Sequence, residues 1–277
     1  IRRPPRSTPK PSSAASDVYK RQSRYSNNST WSLGGYMHDF RISKGLSRYP
    51  YISKPVTLTQ TNSGMEKPDG TTHAVTASNV TLLACHAATI VDGGYNATSI
   101  TSYGNAAVSD FAPAYGMKSV YFDGTGDYLQ CTLADTLGTS PWTIEYWVYH
   151  NTLSNNNIHC AFNGYAPAFY YRDASNAFAV YHSGGISGNF NTNITPVANK
   201  WYHMAYSRGS DNMLRVFVNG SIVDEFSYTG NINGTTFRIG DDGTSAFMNG
   251  YISNLRIVKN IAHYSKNFTP PTESFKG

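Results

Sequence analysis

The sequence predicts an all-β protein whose complete domain is an antiparallel two-sheet β-sandwich of the jelly-roll type. Three observations carry this prediction. The composition favours short strands and turns, with 21 Tyr and 24 Gly in 277 residues. Apolar residues recur in short, evenly spaced runs, and no run has the period of a long helix. Turn-forming pairs such as Asn219-Gly220 separate several of these runs.

The clearest predicted element is a hairpin within residues 200–226. Its second strand alternates, so that one face carries the aliphatic positions Leu214, Val216 and Val218. Asn219 and Gly220 both tolerate positive φ and suit a two-residue hairpin loop. A hairpin cannot bury its own apolar face, so a larger sheet must surround it.

Further short strands follow the same reasoning. They are predicted at residues 81–84, 100–102, 119–122, 128–133, 142–150, 158–163, 168–172, 177–182, 237–240 and 250–258. About 190 residues are enough for one sandwich core. No apolar run approaches the ~20 residues that a membrane-spanning helix needs, so membrane insertion is not expected.

The net charge of +5 is confined to the first 22 residues, which hold six basic residues and one acidic residue. Residues 23–277 are formally neutral, and this argues against a nucleic-acid partner. Residues 1–22 resemble translated sequencing-adapter sequence. They are interpreted as a non-native or disordered segment, with a basic disordered arm as the alternative.

An internal repeat links residue n to residue n + 215. Gly35-Tyr36-Met37 corresponds to Gly250-Tyr251-Ile252, and Arg41 and Tyr49 correspond to Arg256 and Tyr264. The repeat predicts tandem modules. Residues 23–56 are then the C-terminal fragment of a first module, 57–80 a linker, and 81–277 a complete module.

Four stretches in series carry a family resemblance. They are Ser119–Leu129, Trp142–Tyr149, Lys200–Phe226 and Gly250–Ile257. Their order and motifs, such as Trp201, His203 and Arg208 before the Val-Asn-Gly turn, resemble laminin-G-like modules of the concanavalin A-like lectin/glucanase superfamily, over roughly residues 83 to 277. Modules of this kind also look like those of phage tail-fibre and bacterial surface proteins. The resemblance implies a concanavalin A-like sandwich with binding loops at its rim.

Catalysis is not expected, because glycoside hydrolysis needs two carboxylates on one side of a cleft. Glu145 stands alone in its strand, with Thr143 and Trp147 as same-face neighbours. Asp224 and Glu225 are adjacent and therefore point to opposite faces. The chain is predicted not to be an enzyme.

The resemblance also implies a calcium ion at the rim, for which Asp241 and Asp242 are the candidate ligands. The alternative, which is favoured, is that these residues and Asp123 simply form turns. The three cysteines, Cys85, Cys131 and Cys160, show no metal or redox spacing and are interpreted as small buried apolar residues, with a disulfide left open.

Sugar contact would need exposed aromatic faces beside amide groups. The candidates lie on one predicted meander with asparagines at 155, 156 and 157 in a flanking loop. They are Tyr165, Tyr170, Tyr171 and Tyr181. The alternative is core packing of at least half of these rings. The residues assigned a structural role are Trp142, Trp147, Trp201, His203, Asn219 and Gly220.

The predicted function is therefore a non-catalytic carbohydrate-binding or adhesion module of a larger virion or cell-surface protein, with Ca²⁺ as an optional support. Its partners would be a glycan or glycoprotein surface and further modules of the same polypeptide. The alternative is a structural spacer without a ligand, and a glycoside hydrolase is the weakest of the three interpretations.

Overall fold

The computed structural model describes residues 65–66, 72–73, 76–162, 167–182, 189–244 and 246–275. The predicted N-terminal segment, 1–22, and the predicted module fragment, 23–56, lie outside these residues. Within the predicted linker, two short strands pair with each other, Met65 opposite His73 and Glu66 opposite Thr72.

Seventeen strands and two single 3₁₀ turns occur in the described part of the chain. The strands are β1 (Met65–Glu66), β2 (Thr72–His73), β3 (Val80–Ala84), β4 (Ile100–Tyr103), β5 (Ala107–Ser109), β6 (Ser119–Asp123), β7 (Tyr128–Thr132), β8 (Trp142–His150), β9 (Asn157–Phe162), β10 (Ala168–Arg172), β11 (Ala177–Tyr181), β12 (Asn189–Asn191), β13 (Trp201–Arg208), β14 (Met213–Val218), β15 (Ser221–Ser227), β16 (Thr236–Ile239) and β17 (Asn249–Lys259). The 3₁₀ turns span Ala77–Asn79 and Asp173–Ser175.

The strands form two large antiparallel sheets. The seven-stranded sheet has the order β12-β11-β10-β9-β16-β7-β4. The eight-stranded sheet has the order β15-β14-β13-β8-β17-β6-β5, and β3 also pairs with β17. The predicted all-β, two-sheet antiparallel architecture is confirmed.

The core lies between the two sheets and follows the predicted alternation. Leu214 and Val216 of β14 are fully buried in it, whereas Phe217 belongs to a separate cluster on the outer face of the eight-stranded sheet. Asn219 and Gly220 have φ values of 51° and 78°, and Val218 pairs with Ser221. The hairpin loop therefore has two residues with positive φ, as its sequence predicts.

All three cysteines are buried free thiols. Cys131 and Cys160 belong to the core between the sheets. Burial raises the pKa of Cys131 to about 12, so the thiol stays protonated and unreactive at neutral pH. The cysteines pack as small apolar residues.

The long strand β17 organises the eight-stranded sheet. It pairs with β8 on both sides of a bulge, from Gly250 to Ser253 and from Arg256 to Lys259, while its first half also pairs with β6 and its second half with β3. A β-bulge at Asn254 and Leu255 lies between the two halves, and Asn254 has φ 54°. The bulge lets one strand serve two neighbours on the same side.

Residues 261–275, here called the C-terminal segment, cover half of the outer face of this sheet. Its Tyr264 hydroxyl donates to Glu145 Oε2 (2.8 Å), and its Pro271 carbonyl accepts from Trp147 Nε1 (3.1 Å). The Phe275 backbone N–H donates to Asn254 Oδ1 (2.8 Å). The other half of the outer face, nearer the start of β17, is free of this cover.

Candidate functional site

A polar cleft opens at the rim of the sandwich, where loops from both sheets meet. Its volume is about 470 Å³, and we call it the rim cleft. It lies between the β8–β9 loop, the turn after β10 and the segment before β17. Its lining residues are Gly124, Thr152, Ser154, Asn155, Asn156, Asn157, Asp173, Ala174, Ala246, Phe247 and Asn249.

Asparagine side chains hold the walls of the rim cleft together. The Asn249 backbone N–H donates to Asn157 Oδ1 (2.8 Å), and the Asp173 backbone N–H donates to Asn156 Oδ1 (3.0 Å). Asn155 adopts φ 77°, a conformation that asparagine tolerates better than most residues. The loop is therefore ordered by its own amides.

The chemistry of the rim cleft suits a ligand rich in hydroxyl groups. Amide side chains offer both donors and acceptors, and the bonds above use the oxygen of Asn156 but not its NH₂ group. Asp173 is the only carboxylate among the lining residues, and it is exposed. A single carboxylate does not supply the acid and base pair of a glycoside hydrolase.

A row of four aromatic rings crosses the uncovered half of the eight-stranded sheet. Tyr121, Tyr251, Tyr149 and Trp201 occupy directly opposed positions on β6, β17, β8 and β13. Ring centroids of successive neighbours are 4.9, 5.8 and 5.4 Å apart. All four side chains are half-buried, so their remaining surface faces solvent. We call this set the aromatic row.

Phe111, from the loop before β6, packs against the aromatic row. Its ring meets Tyr149 and Tyr251 edge-on, with centroids 4.9 Å apart in both cases. Phe111 is itself 44 % exposed. Sequence reasoning missed the aromatic row because its members come from four strands that are distant in sequence. The sequence could indicate only, from the alternation within each predicted strand, that these rings point away from the core.

The predicted calcium ligands serve as turn residues. Asp241 accepts from Arg238 Nη1 (2.7 Å) and from the Gly243 backbone N–H (2.9 Å). Asp242 accepts from the backbone N–H (2.9 Å) and the hydroxyl (2.5 Å) of Thr244. These bonds engage both carboxylate oxygens of Asp241 and Oδ1 of Asp242, which is the pattern of turn residues. Over the described ranges, no three His, Cys, Asp or Glu side chains are grouped to hold a metal ion.

The predicted sugar-contacting tyrosines do not form one surface. Tyr165 lies outside the described residues. Tyr170 and Tyr171 are buried, at 7 % and 2 % exposure, so they follow the alternative of packing and offer no open ring face. Tyr181 is half-buried in a small cluster around Ile158.

The residues assigned a structural role lie in three places. Trp142 is fully buried in the core between the sheets. Trp147 and His203 lie under the C-terminal segment, with ring centroids 5.1 Å apart. Trp201 lies outside the core between the sheets, half-buried at the end of the aromatic row.

Glu145 is fully buried and closed to substrates. It accepts from Arg256 Nε (3.0 Å) and from the Tyr264 hydroxyl (2.8 Å), and His203 Nε2 lies 3.4 Å away. Burial alone would raise its pKa, but Arg256 and His203 outweigh this effect and hold the pKa well below its usual range. The carboxylate therefore stays ionised at neutral pH and anchors the C-terminal segment through Tyr264.

Comparisons with known proteins identify the fold. The family model described as "Concanavalin A-like lectin/glucanases superfamily" matches residues 123–261, which is half of the chain. No match was found among curated proteins. None of the described helices is long and apolar enough to cross a membrane.

Solved structures with the same fold include three toxin binding domains. The binding domain of Paraclostridial Mosquitocidal Protein 1 has 14 % identity and a TM-score of 0.54, covering 66 % of this chain and 49 % of that one. The receptor-binding domain of botulinum neurotoxin C/D mosaic serotype has 13 % identity and a TM-score of 0.52, with coverages of 68 % and 50 %. The binding domain of botulinum neurotoxin DC in complex with SialylT has 13 % identity and a TM-score of 0.50, with coverages of 67 % and 49 %. The chain thus spans about half the length of these structures, and the likeness extends to the fold alone.

Proposed function

Because the chain belongs to the concanavalin A-like lectin/glucanase superfamily, we propose that it is a non-catalytic module that binds a neutral glycan, free or on a glycoprotein, in the rim cleft. The observation that carries this proposal is the lining of the cleft by asparagine and hydroxyl side chains. Sugar hydroxyls pair with such groups as both donor and acceptor. Toxin binding domains of the same fold, one of them in complex with SialylT, are consistent with a recognition role.

The setting we propose is the surface of a virion or cell, where several modules act together. A single open cleft binds weakly, and repetition of modules on one polypeptide raises the effective affinity. The internal sequence repeat supports this tandem arrangement. Calcium has no supporting arrangement among the described residues and remains a prediction.

A glycan array probed with the full 277-residue chain, with and without EDTA, tests the proposal. We expect binding to neutral glycans. Asn155→Gly removes one amide of the rim cleft while accepting the positive φ of that position, and it should weaken binding about 3- to 10-fold.

The matched control is Asn260→Gly. Asn260 is also exposed and has φ 67°, but it follows the far end of β17. Its replacement should leave binding unchanged.

If the chain binds no glycan although its cooperative unfolding shows that it is folded, the proposal is rejected and the structural-spacer alternative is favoured. Loss of binding in EDTA would show that the proposed site requires calcium.

A further inference from the structure

The aromatic row and the rim cleft are adjacent along three neighbouring strands. Side chains two residues apart on a strand share a face and are separated by about 6.7 Å. On the outer face of β17, Tyr251 is therefore next to Asn249, which lines the rim cleft. On β6, Tyr121 is next to Asp123, which pairs with Asn249 across the strands.

The third strand repeats this order. Beyond Tyr149 on β8 comes Asn151, whose Nδ2 donates to Asn249 Oδ1 (3.0 Å) and whose backbone N–H donates to the Asn249 carbonyl (3.0 Å). A band of polar side chains thus runs beside the aromatic row, between it and the rim cleft. A ligand that leaves the cleft on this side meets amides first and aromatic rings next.

Resting on the proposed function, we infer that the module binds an extended oligosaccharide, with one end in the rim cleft and the following sugar units on the aromatic row. Sugar rings have apolar C–H faces that stack on aromatic rings, and their hydroxyl edges pair with amides. Four strands span about 14 Å, which is room for several sugar units.

The relative tilt of the rings narrows the class of glycan. Successive rings of the row differ in plane by 42°, 77° and 52°. Such a corrugated row cannot lie flat against a rigid planar surface. The ligand is therefore a single flexible chain, not the face of a crystalline polysaccharide. Formal neutrality of residues 23–277 agrees with an uncharged ligand.

The test is a length series of gluco-, manno- and galacto-configured oligosaccharides, from disaccharide to hexasaccharide, titrated against the full chain. We expect affinity to rise about tenfold from the disaccharide to the longer members of one series. Tyr251→Thr, which introduces a β-branched residue that suits a strand, should abolish this increase with length and leave disaccharide binding intact. Asn155→Gly should weaken both.

The matched control is Tyr103→Thr. Tyr103 lies on β4 of the other sheet and is 38 % exposed, and its loss should change neither affinity. Trp201 fluorescence is a second readout that does not depend on the Tyr251 variant. It should shift with the hexasaccharide and not with the disaccharide, and Trp201→Phe should remove the shift.

Disaccharide binding that does not increase with length would overturn the extended site and leave the rim cleft standing. The extended site would also be rejected if the affinity of Tyr251→Thr still rose with oligosaccharide length and Trp201 fluorescence did not respond to the hexasaccharide. Failure of every oligosaccharide to bind a folded chain would overturn both proposals.

Discussion

Three side chains inside the sandwich form a hydrogen-bonded chain of neutral groups. His150 Nε2 lies 2.9 Å from His159 Nε2, and His159 Nδ1 lies 2.9 Å from the Tyr146 hydroxyl. All three residues are fully buried. His150 Nδ1 has no partner in the described structure. We therefore assign the His150 proton to Nε2, because the reverse tautomer would bury an unpaired N–H donor.

This chain makes folding sensitive to acid. Burial lowers the pKa of His150 to about 3, and burial together with His150 lowers that of His159 well below its ordinary value. Below pH 6.5 the unfolded state binds more protons than the folded state, so the free energy of unfolding falls as the pH falls. Urea unfolding at pH 7.5 and 5.5 should differ by about 3 kcal/mol from these two groups.

The His150→Gln variant supplies the comparison. It should be less stable than the parent at pH 7.5 but lose less stability between pH 7.5 and 5.5. An equal loss in parent and variant would show that His150 does not titrate on unfolding.

The ion pair of Glu145 and Arg256 is a second residue-scale determinant of stability. Both side chains are buried, at 0 % and 5 % exposure, so removing one charge leaves the other uncompensated. Glu145→Gln should lower the free energy of unfolding by about 3–5 kcal/mol in urea. The double variant Glu145→Leu with Arg256→Met should recover much of this loss, and a further loss would contradict the assignment.

At the scale of elements, the hairpin of β14 and β15 and the C-terminal segment support each other. The Phe268 backbone N–H donates to the Gly220 carbonyl (2.8 Å), and the Ile222 backbone N–H donates to Asn267 Oδ1 (2.8 Å). A Cβ placed on Gly220 would lie 2.0 Å from the Phe268 carbonyl oxygen. Glycine at this turn therefore serves two purposes: positive φ and close approach of another backbone.

Gly220→Ala should therefore lower the free energy of unfolding by more than the strain of positive φ alone would. Gly138→Ala is the matched control, because Gly138 has φ 62° and a Cβ added there would meet no atom within 4 Å. The control should lose about 1 kcal/mol of unfolding free energy, and Gly220→Ala at least twice that. Hydrogen exchange at Phe268 should accelerate in Gly220→Ala alone. Equal losses of unfolding free energy in both variants would show that the C-terminal segment moves away from the added Cβ without destabilising the fold.

At the scale of the whole molecule, sequence patterns predicted the architecture and only part of the site. Alternation and turn residues such as Asn219-Gly220 are local, so strands and their inward faces could be read directly. The asparagines at 155–157 were predicted beside the binding surface for the same reason. The aromatic row depends on strand register across the sheet, which a single sequence does not specify. For Tyr170 and Tyr171 the sequence left surface contact and core packing open, because exposed and buried rings look alike in a polar meander; both rings are buried.

The buried contacts of Glu145 explain why the predicted tandem repeat matches at two of its positions. The repeat aligns Arg41 with Arg256 and Tyr49 with Tyr264, and Arg256 and Tyr264 are the two closest partners of Glu145. The repeat thus preserves the residues that anchor the C-terminal segment in the described module. Positions 41 and 49 lie outside the described residues, so the first module stays a prediction.

The bulge in β17 separates two tasks on one sheet. After the bulge, Arg256 on the outer face is buried beneath Phe275 of the C-terminal segment, where a change of charge disturbs folding. Before the bulge, the outer-face residues Asn249 and Tyr251 are partly exposed to solvent. If the uncovered half of the sheet binds glycans as proposed, substitutions there change the ligand specificity, while the covered half keeps the fold stable.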